Sequence, residues 1–423
     1  MTYVEFFDNE VAENISACAA IAPDRVILIG KDRSPMEIHA QRYRRVFSSR
    51  GITTMFEVRT VNVNSLPDIV EKLTAIVEEH GDCAFDLTGG DDLMLVAMGI
   101  VFERYRNQEH VHLQMHRFNL RSNRVYDCDA DGNILFETQM PAISVEENIQ
   151  IFGGVIRYDS AKEAGTRRWQ LTADDMADLQ ALWECCLTEN RLGSVDVRAW
   201  NAQVWVFKAA EENSKDPASL ETIALLSDVK AYLKQKNADY TYIPCFINEL
   251  KKRKLAVVNV NETTIRIRYK NPLVKYCLTK AGQTLEMYVY MLACQATEAD
   301  GQPTYNDVMT GVQIDWDGKL LLENPKSDTE NEIDVLMMHG MIPVFISCKN
   351  GEVTVDELYK LQTVAVRFGG KYARKYLVVT ALGENESAKT FRLRAADMNI
   401  KLIEPLKETP GAFAKAIRGA WRS

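Results

Sequence analysis

The chain has 423 residues, 46% hydrophobic and 26% charged, with a formal net charge of -9. That length predicts two or three domains. No apolar run approaches the ~20 residues of a membrane span, and the opening MTYVEFFDNEVAEN lacks the basic-then-apolar pattern of a secretory signal, so no membrane partner and a cytoplasmic location are expected. The acidic balance disfavours a general nucleic-acid coat, and nine cysteines without a CxxC pair read as reduced thiols.

Strands are expected at Tyr3 to Phe7, Arg25 to Gly30, Thr53 to Arg59 and Ala84 to Thr88, with helices between them from about Glu10, Pro35 to Arg50 and Leu66 to Glu79. This alternation predicts an α/β domain over residues 1–150, a Rossmann-like parallel sheet with helices on both faces. Ligands in such sheets bind beyond the carboxyl ends of the strands. Two turns belong there, Gly30-Lys31-Asp32 and Thr88-Gly89-Gly90-Asp91-Asp92; Asp8, Asn9 and Glu10 would face the same crevice if the first strand is central. From Val111 to Gln139 the pattern turns to strand and hairpin, with Asp131-Gly132 as the turn. His110, His112 and His116 fall in this region without zinc-ligand spacing and are expected at the surface.

Residues 151–275 read as a mostly helical linker, including Ala173 to Glu189 and Pro217 to Gln235, with Ala210 to Lys215 as an exposed connection. Its end, a basic helix Phe246 to Lys254 and two strands turning near Asn261, is compatible with a winged helix. Lys251, Lys252, Arg253, Lys254, Arg266, Arg268, Lys270 and Lys275 crowd this segment, either as a solvated face or as a nucleic-acid track. Residues 276–423 open with a helix, Gly282 to Ala296. Strands follow near Asp307 to Trp316, Glu332 to Met337 and Pro343 to Lys349, then a helix Val355 to Phe368 and a strand Tyr376 to Thr380.

Strand alternation in NEIDVLMMHGMIPVFISCKNG places Glu332 and Asp334 on one face, with Ile333 and Val335 on the other. Phe345, Ser347 and Lys349 share a face of the next strand, so Asp334 and Lys349 can meet. Phosphodiester cleavage needs a hard divalent cation, held by oxygens, and a cation to offset charge on the phosphorane. Asp334 with Lys349 is the minimum set; Glu286 and Glu357, on flanking helices, are further candidates. A plain cross-strand ion pair would also explain the two residues, but a lysine ending the apolar run VFISC is costly without a partner or a task. In the N-terminal part, Thr88, Gly89 and Gly90 offer a hydroxyl and two unhindered amides for phosphate or ribose, or simply a glycine turn from strand to helix. GGDD also occurs in the hairpin of palm-type nucleotide cyclases, but that hairpin needs a following strand and Leu93 to Arg106 has helical spacing.

The segment from Glu286 to Thr380, with NEID before a turn and SCKNG after it, resembles the PD-(D/E)xK restriction-endonuclease-like core. The whole chain resembles CRISPR ancillary nucleases that fuse such a core to an N-terminal CARF domain, to which the FDLTGGDD and MPAISVEENIQIFGG segments are similar. The resemblance implies a homodimer that binds cyclic tetra-adenylate during antiviral defence and then cleaves single-stranded DNA or RNA with Mn2+ or Mg2+. Two positions depart from the family pattern. Ser347 stands where an acidic residue usually precedes the lysine, and Asp91-Asp92 follow the glycines where Thr-Lys is common. Metal binding would then lean on Asp334, the Cys348 backbone carbonyl and some of Glu286, Glu332 and Glu357. The alternative from another class is a ligand-responsive DNA-binding regulator with a degenerate nuclease domain.

Overall fold

A computed structural model describes residues 1–8, 10–119, 122–128, 133–158, 167–189, 194–318 and 330–422. The N-terminal alternation is β1 (Thr2–Phe6), α1 (Glu13–Ile21), β2 (Arg25–Gly30), α2 (Arg33–Ser49), β3 (Met55–Thr60), α3 (Leu66–His80), β4 (Asp82–Asp86) and α4 (Asp92–Tyr105). β5 (His112–Asn119), β6 (Arg124–Cys128) and β7 (Ile134–Gln139) extend the sheet. Its order is β3-β2-β1-β4-β5-β6-β7, parallel from β3 to β5 and antiparallel beyond. β1 is therefore central, and between β1 and β4 the chain order reverses, which opens a crevice at the carboxyl ends of these strands. Local capping sets the helix starts: Ser65 accepts from the Asp68 N–H at α3, and Asp91 accepts from the Met94 N–H at α4. The expected Asp131-Gly132 turn lies outside the described residues. His116 corrects the surface expectation: it is fully buried and stacked on Phe136 at 4.9 Å. Burial lowers its pKa to about 4. His110 and His112 are exposed.

The middle of the chain comprises α5 (Val145–Ile151), β8 (Val155–Arg157), α6 (Ala173–Cys186), α7 (Val197–Glu212), β9 (Glu221–Leu225), α8 (Leu226–Gln235), α9 (Pro244–Lys252), β10 (Ala256–Val260), β11 (Thr264–Tyr269) and α10 (Pro272–Thr279). The expected helix over Pro217 to Gln235 is instead a strand and a shorter helix. Thr222 and Ala224 are buried while their neighbours are exposed, a period of two that seats β9 against β11. The expected linker at Ala210 to Lys215 is also corrected, since Ala210 is fully buried in α7. The turn near Asn261 is present; its side chain accepts from the Thr263 and Thr264 N–H groups. Much of the basic segment is tied up internally: Arg253 pairs with Glu184 and Glu249, Lys270 with Asp178, and Lys275 with Glu211.

The C-terminal part comprises α11 (Gln283–Cys294), β12 (Asp307–Asp315), β13 (Glu330–His339), β14 (Ile342–Lys349), α12 (Val355–Gly369), β15 (Arg374–Val379), α13 (Glu386–Asp397), β16 (Lys401–Ile403) and α14 (Pro410–Arg418). The sheet order is β16-β15-β14-β13-β12-β8, so the short β8 closes its edge. β12, β13 and β14 are antiparallel to their neighbours in turn, while β14, β15 and β16 run parallel. One face packs on α11, which α6, α7 and α10 join in one apolar cluster. The other shares a single apolar core with the N-terminal sheet, in which Tyr3, Leu28 and Phe118 cluster with Leu336, Phe345, Phe368 and Leu377. The two sheets are thus joined by buried apolar surface rather than by a loose tether. Among the described residues, no helix is long and apolar enough to cross a membrane.

Candidate active site

The paired register of β13 and β14 ends at Val335 and Ile346. Beyond that point the Asp334 carboxylate replaces the lost backbone acceptor: Oδ2 takes the Cys348 N–H at 2.6 Å and the Ser347 hydroxyl at 3.1 Å. On the other side Thr310 donates its hydroxyl to the Asp334 carbonyl at 3.0 Å. Gly311 lies across from Asp334, between the pairs Thr310–Val335 and Val312–Ile333, with φ +59°. A left-handed residue breaks the pleat. Ile333 and Val335 accordingly pack in different cores instead of sharing one face, which corrects the simple alternation expected here. Glu332 is exposed.

Lys349, at the end of β14, meets Glu357 of α12 at 3.0 Å, and Lys360 also holds Glu357 at 2.8 Å. Burial acts to lower the Lys349 pKa, but Asp334 and Glu357 raise it on balance and keep the ammonium charged. Burial likewise acts to raise Glu357, yet the two lysines hold its carboxyl below the ordinary value. Glu357 is therefore a lysine-anchoring residue. Glu286 behaves differently. It is 9% exposed, on the first turn of α11, and burial followed by the charge of Asp334 pushes it up to about 8. Burial also raises Asp334, partly offset by Lys349, the Cys348 N–H and Ser347. Lys280, just before α11, opposes the rise of both carboxyls, so it belongs to the same cluster.

Among the described residues, no three His, Cys, Asp or Glu side chains converge as a ready-made metal cage. Glu286 and Asp334 nonetheless fit a divalent cation, because a carboxyl raised by burial and then by a second carboxylate is the arrangement a cation relieves. With a serine at position 347, backbone oxygen and water would complete such a shell.

In the N-terminal crevice, Phe7, Asp8, Lys31, Asp32, Pro35, Gly90 and Asp91 line a cavity of about 350 Å3. Burial raises Asp8 to about 6, and Glu13 beside it adds to the rise. Thr88, Gly89 and Gly30, expected at the crevice, are not among the residues that line it. The Thr88 N–H donates to Asp86 at 2.7 Å. A Cβ on Gly89 would lie 2.5 Å from the Phe6 carbonyl oxygen, and one on Gly90, at φ +87°, 2.7 Å from the Phe6 Cβ. These glycines are required by the turn itself as well as by any ligand. Glu10 points away from the crevice, its carboxylate accepting the Lys371 N–H at 3.3 Å. Asn9 lies outside the described residues. Sequence spacing gives no sign of Lys280, nor of the contact in which Glu13 pairs with Lys371 at 2.5 Å and accepts the Tyr372 hydroxyl.

The fold and the two sites define a class: a doubly wound sheet with a crevice at the carboxyl ends of its strands, fused through a shared core to a mixed sheet carrying an Asp–Lys pair beside a buried glutamate. Residues 277–418 match the family described as Card1-like, endonuclease domain. Along the full length the chain is similar to protein VC1899 from Vibrio cholerae, with TM-score 0.68 and 19% identity over 100% of this chain and 98% of that one. It is also similar to Can2 from Sulfobacillus thermosulfidooxidans, solved in complex with cyclic tetra-adenylate, with TM-score 0.64 and 15% identity over 100% of this chain and 99% of that one. At such identities the likeness is one of fold. No curated protein sequence matches the chain.

Proposed function

We propose that this protein is a nuclease, activated by cyclic tetra-adenylate, that cleaves single-stranded DNA or RNA with Mn2+ or Mg2+ as a cytosolic homodimer in type III CRISPR antiviral defence. The observation that carries the reading is the Asp334 carboxylate bound to the Cys348 N–H beside buried Glu286 and charged Lys349, within the residues that match an endonuclease domain. A divalent ion held by Glu286, Asp334 and the Cys348 carbonyl would supply Lewis-acid activation of the phosphodiester and a more acidic water. Lys349, kept charged and aimed by Glu357, faces the charge that develops on phosphate. Lys280 adds a second cation on the α11 side. Ser347 holds Asp334 in place without adding a ligand charge.

The crevice around Asp8, Lys31, Gly90 and Asp91 is the proposed sensor. A two-fold cyclic ligand is divided naturally between two copies, each offering the same crevice. The Glu10 and Glu13 contacts with Lys371 and Tyr372 support a route from that crevice to the segment following α12, which carries Glu357. The test is cleavage of labelled single-stranded DNA and RNA with Mn2+ or with a chelator, each with and without cyclic tetra-adenylate. Cleavage that needs both metal and activator is expected; no cleavage in any combination would overturn the reading.

A further inference from the structure

A second cavity, of about 420 Å3, opens beside the acidic cluster and is walled by Trp169, Tyr276, Arg167 and Lys280 together with two lysine–glutamate pairs. We infer that it is a nucleobase subsite, taking one splayed base of the single-stranded substrate next to the scissile phosphate; this rests on the nuclease reading above.

Three observations converge. The rings of Trp169 and Tyr276 lie 5.4 Å apart, and the Arg167 guanidinium sits over both, 5.2 and 5.6 Å from their centroids. Aromatic rings and guanidinium planes are what unstacked bases lie on. The platform is rigid, because the Tyr290 hydroxyl accepts the Trp169 N–H at 2.9 Å and donates to the Trp169 carbonyl at 3.0 Å. Second, the charge suits a phosphate backbone. Lys208 pairs with Glu212 and Lys275 with Glu211, which leaves Arg167 and Lys280 as cations with no ion-pair partner among the described residues. Third, the cavity adjoins the chemistry: Lys280 acts on both Glu286 and Asp334, and Tyr276 lies in the field of Glu286 and Glu332. The backbone of Arg167 bridges to Thr310, whose hydroxyl holds Asp334. An ion-binding role alone leaves the ring pair unexplained.

The experiment uses the full chain with a fluorescein-labelled single-stranded DNA carrying one 5-iodouracil, in the presence of cyclic tetra-adenylate. Irradiation is expected to crosslink the base to the peptide containing Trp169 or Tyr276. Crosslinks found elsewhere only, or no binding, would overturn the subsite. In cleavage assays Trp169→Ala should raise KM roughly tenfold, the effect of removing one base–aromatic stack. For Trp169→Ala the base preference at product ends should relax. Trp169→Phe, which preserves the apolar wall, should recover most of the affinity and guards against a folding defect. Unchanged KM and unchanged product ends in variants that melt like the parent would refute the proposal. Crosslinking at Trp169 without any cleavage would instead refute the nuclease reading and leave the subsite standing.

Discussion

Glu5→Gln tests whether the N-terminal sheet stores a proton in its interior. Glu5 sits near the carboxyl end of central β1, with no exposed surface and with neither carboxyl oxygen paired in its ionised form. Its neighbour Asp86 is equally buried, takes the Thr88 N–H at 2.7 Å and the Tyr3 hydroxyl at 3.4 Å, and is pushed up to about 6, chiefly by burial. Burial and then Asp86 raise Glu5 well above its ordinary 4.5. A protonated Glu5 donating to an ionised Asp86 satisfies both groups. The native state therefore holds a proton that the unfolded chain releases near pH 4.5. Stability from this group is fully present below that pH and falls as pH rises towards the folded value, by about 1.4 kcal/mol per pH unit for one proton. Glutamine keeps the shape and a donor but has no proton to lose. Between pH 5.5 and 7.5 the wild type should thus lose local stability that Glu5→Gln retains. Amide hydrogen exchange of β1 and β4 at the two pH values, corrected for intrinsic rates, reads this difference by segment. Parallel profiles for the two proteins, or an equal drop in protection at both pH values, would show that Glu5 stores no proton.

Asp334→Ala and Lys349→Ala should each abolish cleavage while cyclic tetra-adenylate binding, followed by calorimetry, stays intact; turnover retained in either variant would sink the assignment. Glu286→Gln should remove the thermal stabilisation given by Mn2+, read as a melting shift against a chelator control, because the second carboxylate of the site is gone; a shift equal to that of the wild type would exclude Glu286 as a ligand. Gly90→Leu meets the Phe6 Cβ and a left-handed backbone, so activator affinity should fall more than tenfold and unchanged activator dependence would count against the crevice. Lys371→Ala removes the cation paired with the buried Glu13 carboxylate, so the variant should melt below the wild type while remaining folded. Activation, measured as cleavage at saturating activator, should nonetheless drop severalfold.

Much of this protein could be read along the chain. Strand Arg25 to Gly30 and the β/α alternation follow from apolar runs of the right length, and the glycine turn after β4 follows from its residue types. Asp334 and Lys349 stood out as candidates because ionisable groups in apolar strands are costly. Other features depended on distant partners. β9 was hidden because its five residues become a strand only when β11 supplies the ladder. His116 is buried because Phe136 covers it, and Glu10 turns to Lys371 across a separation of 361 residues. Lys280 joins the acidic cluster only because Gly282, at φ +87°, turns the chain into α11. Local periodicity, propensity and charge are properties of neighbours in sequence, and these determined the elements and the candidate acids. The field at Glu286 and the contact between the two sheets are sums over groups far apart in the chain, and only the tertiary structure brings those groups together.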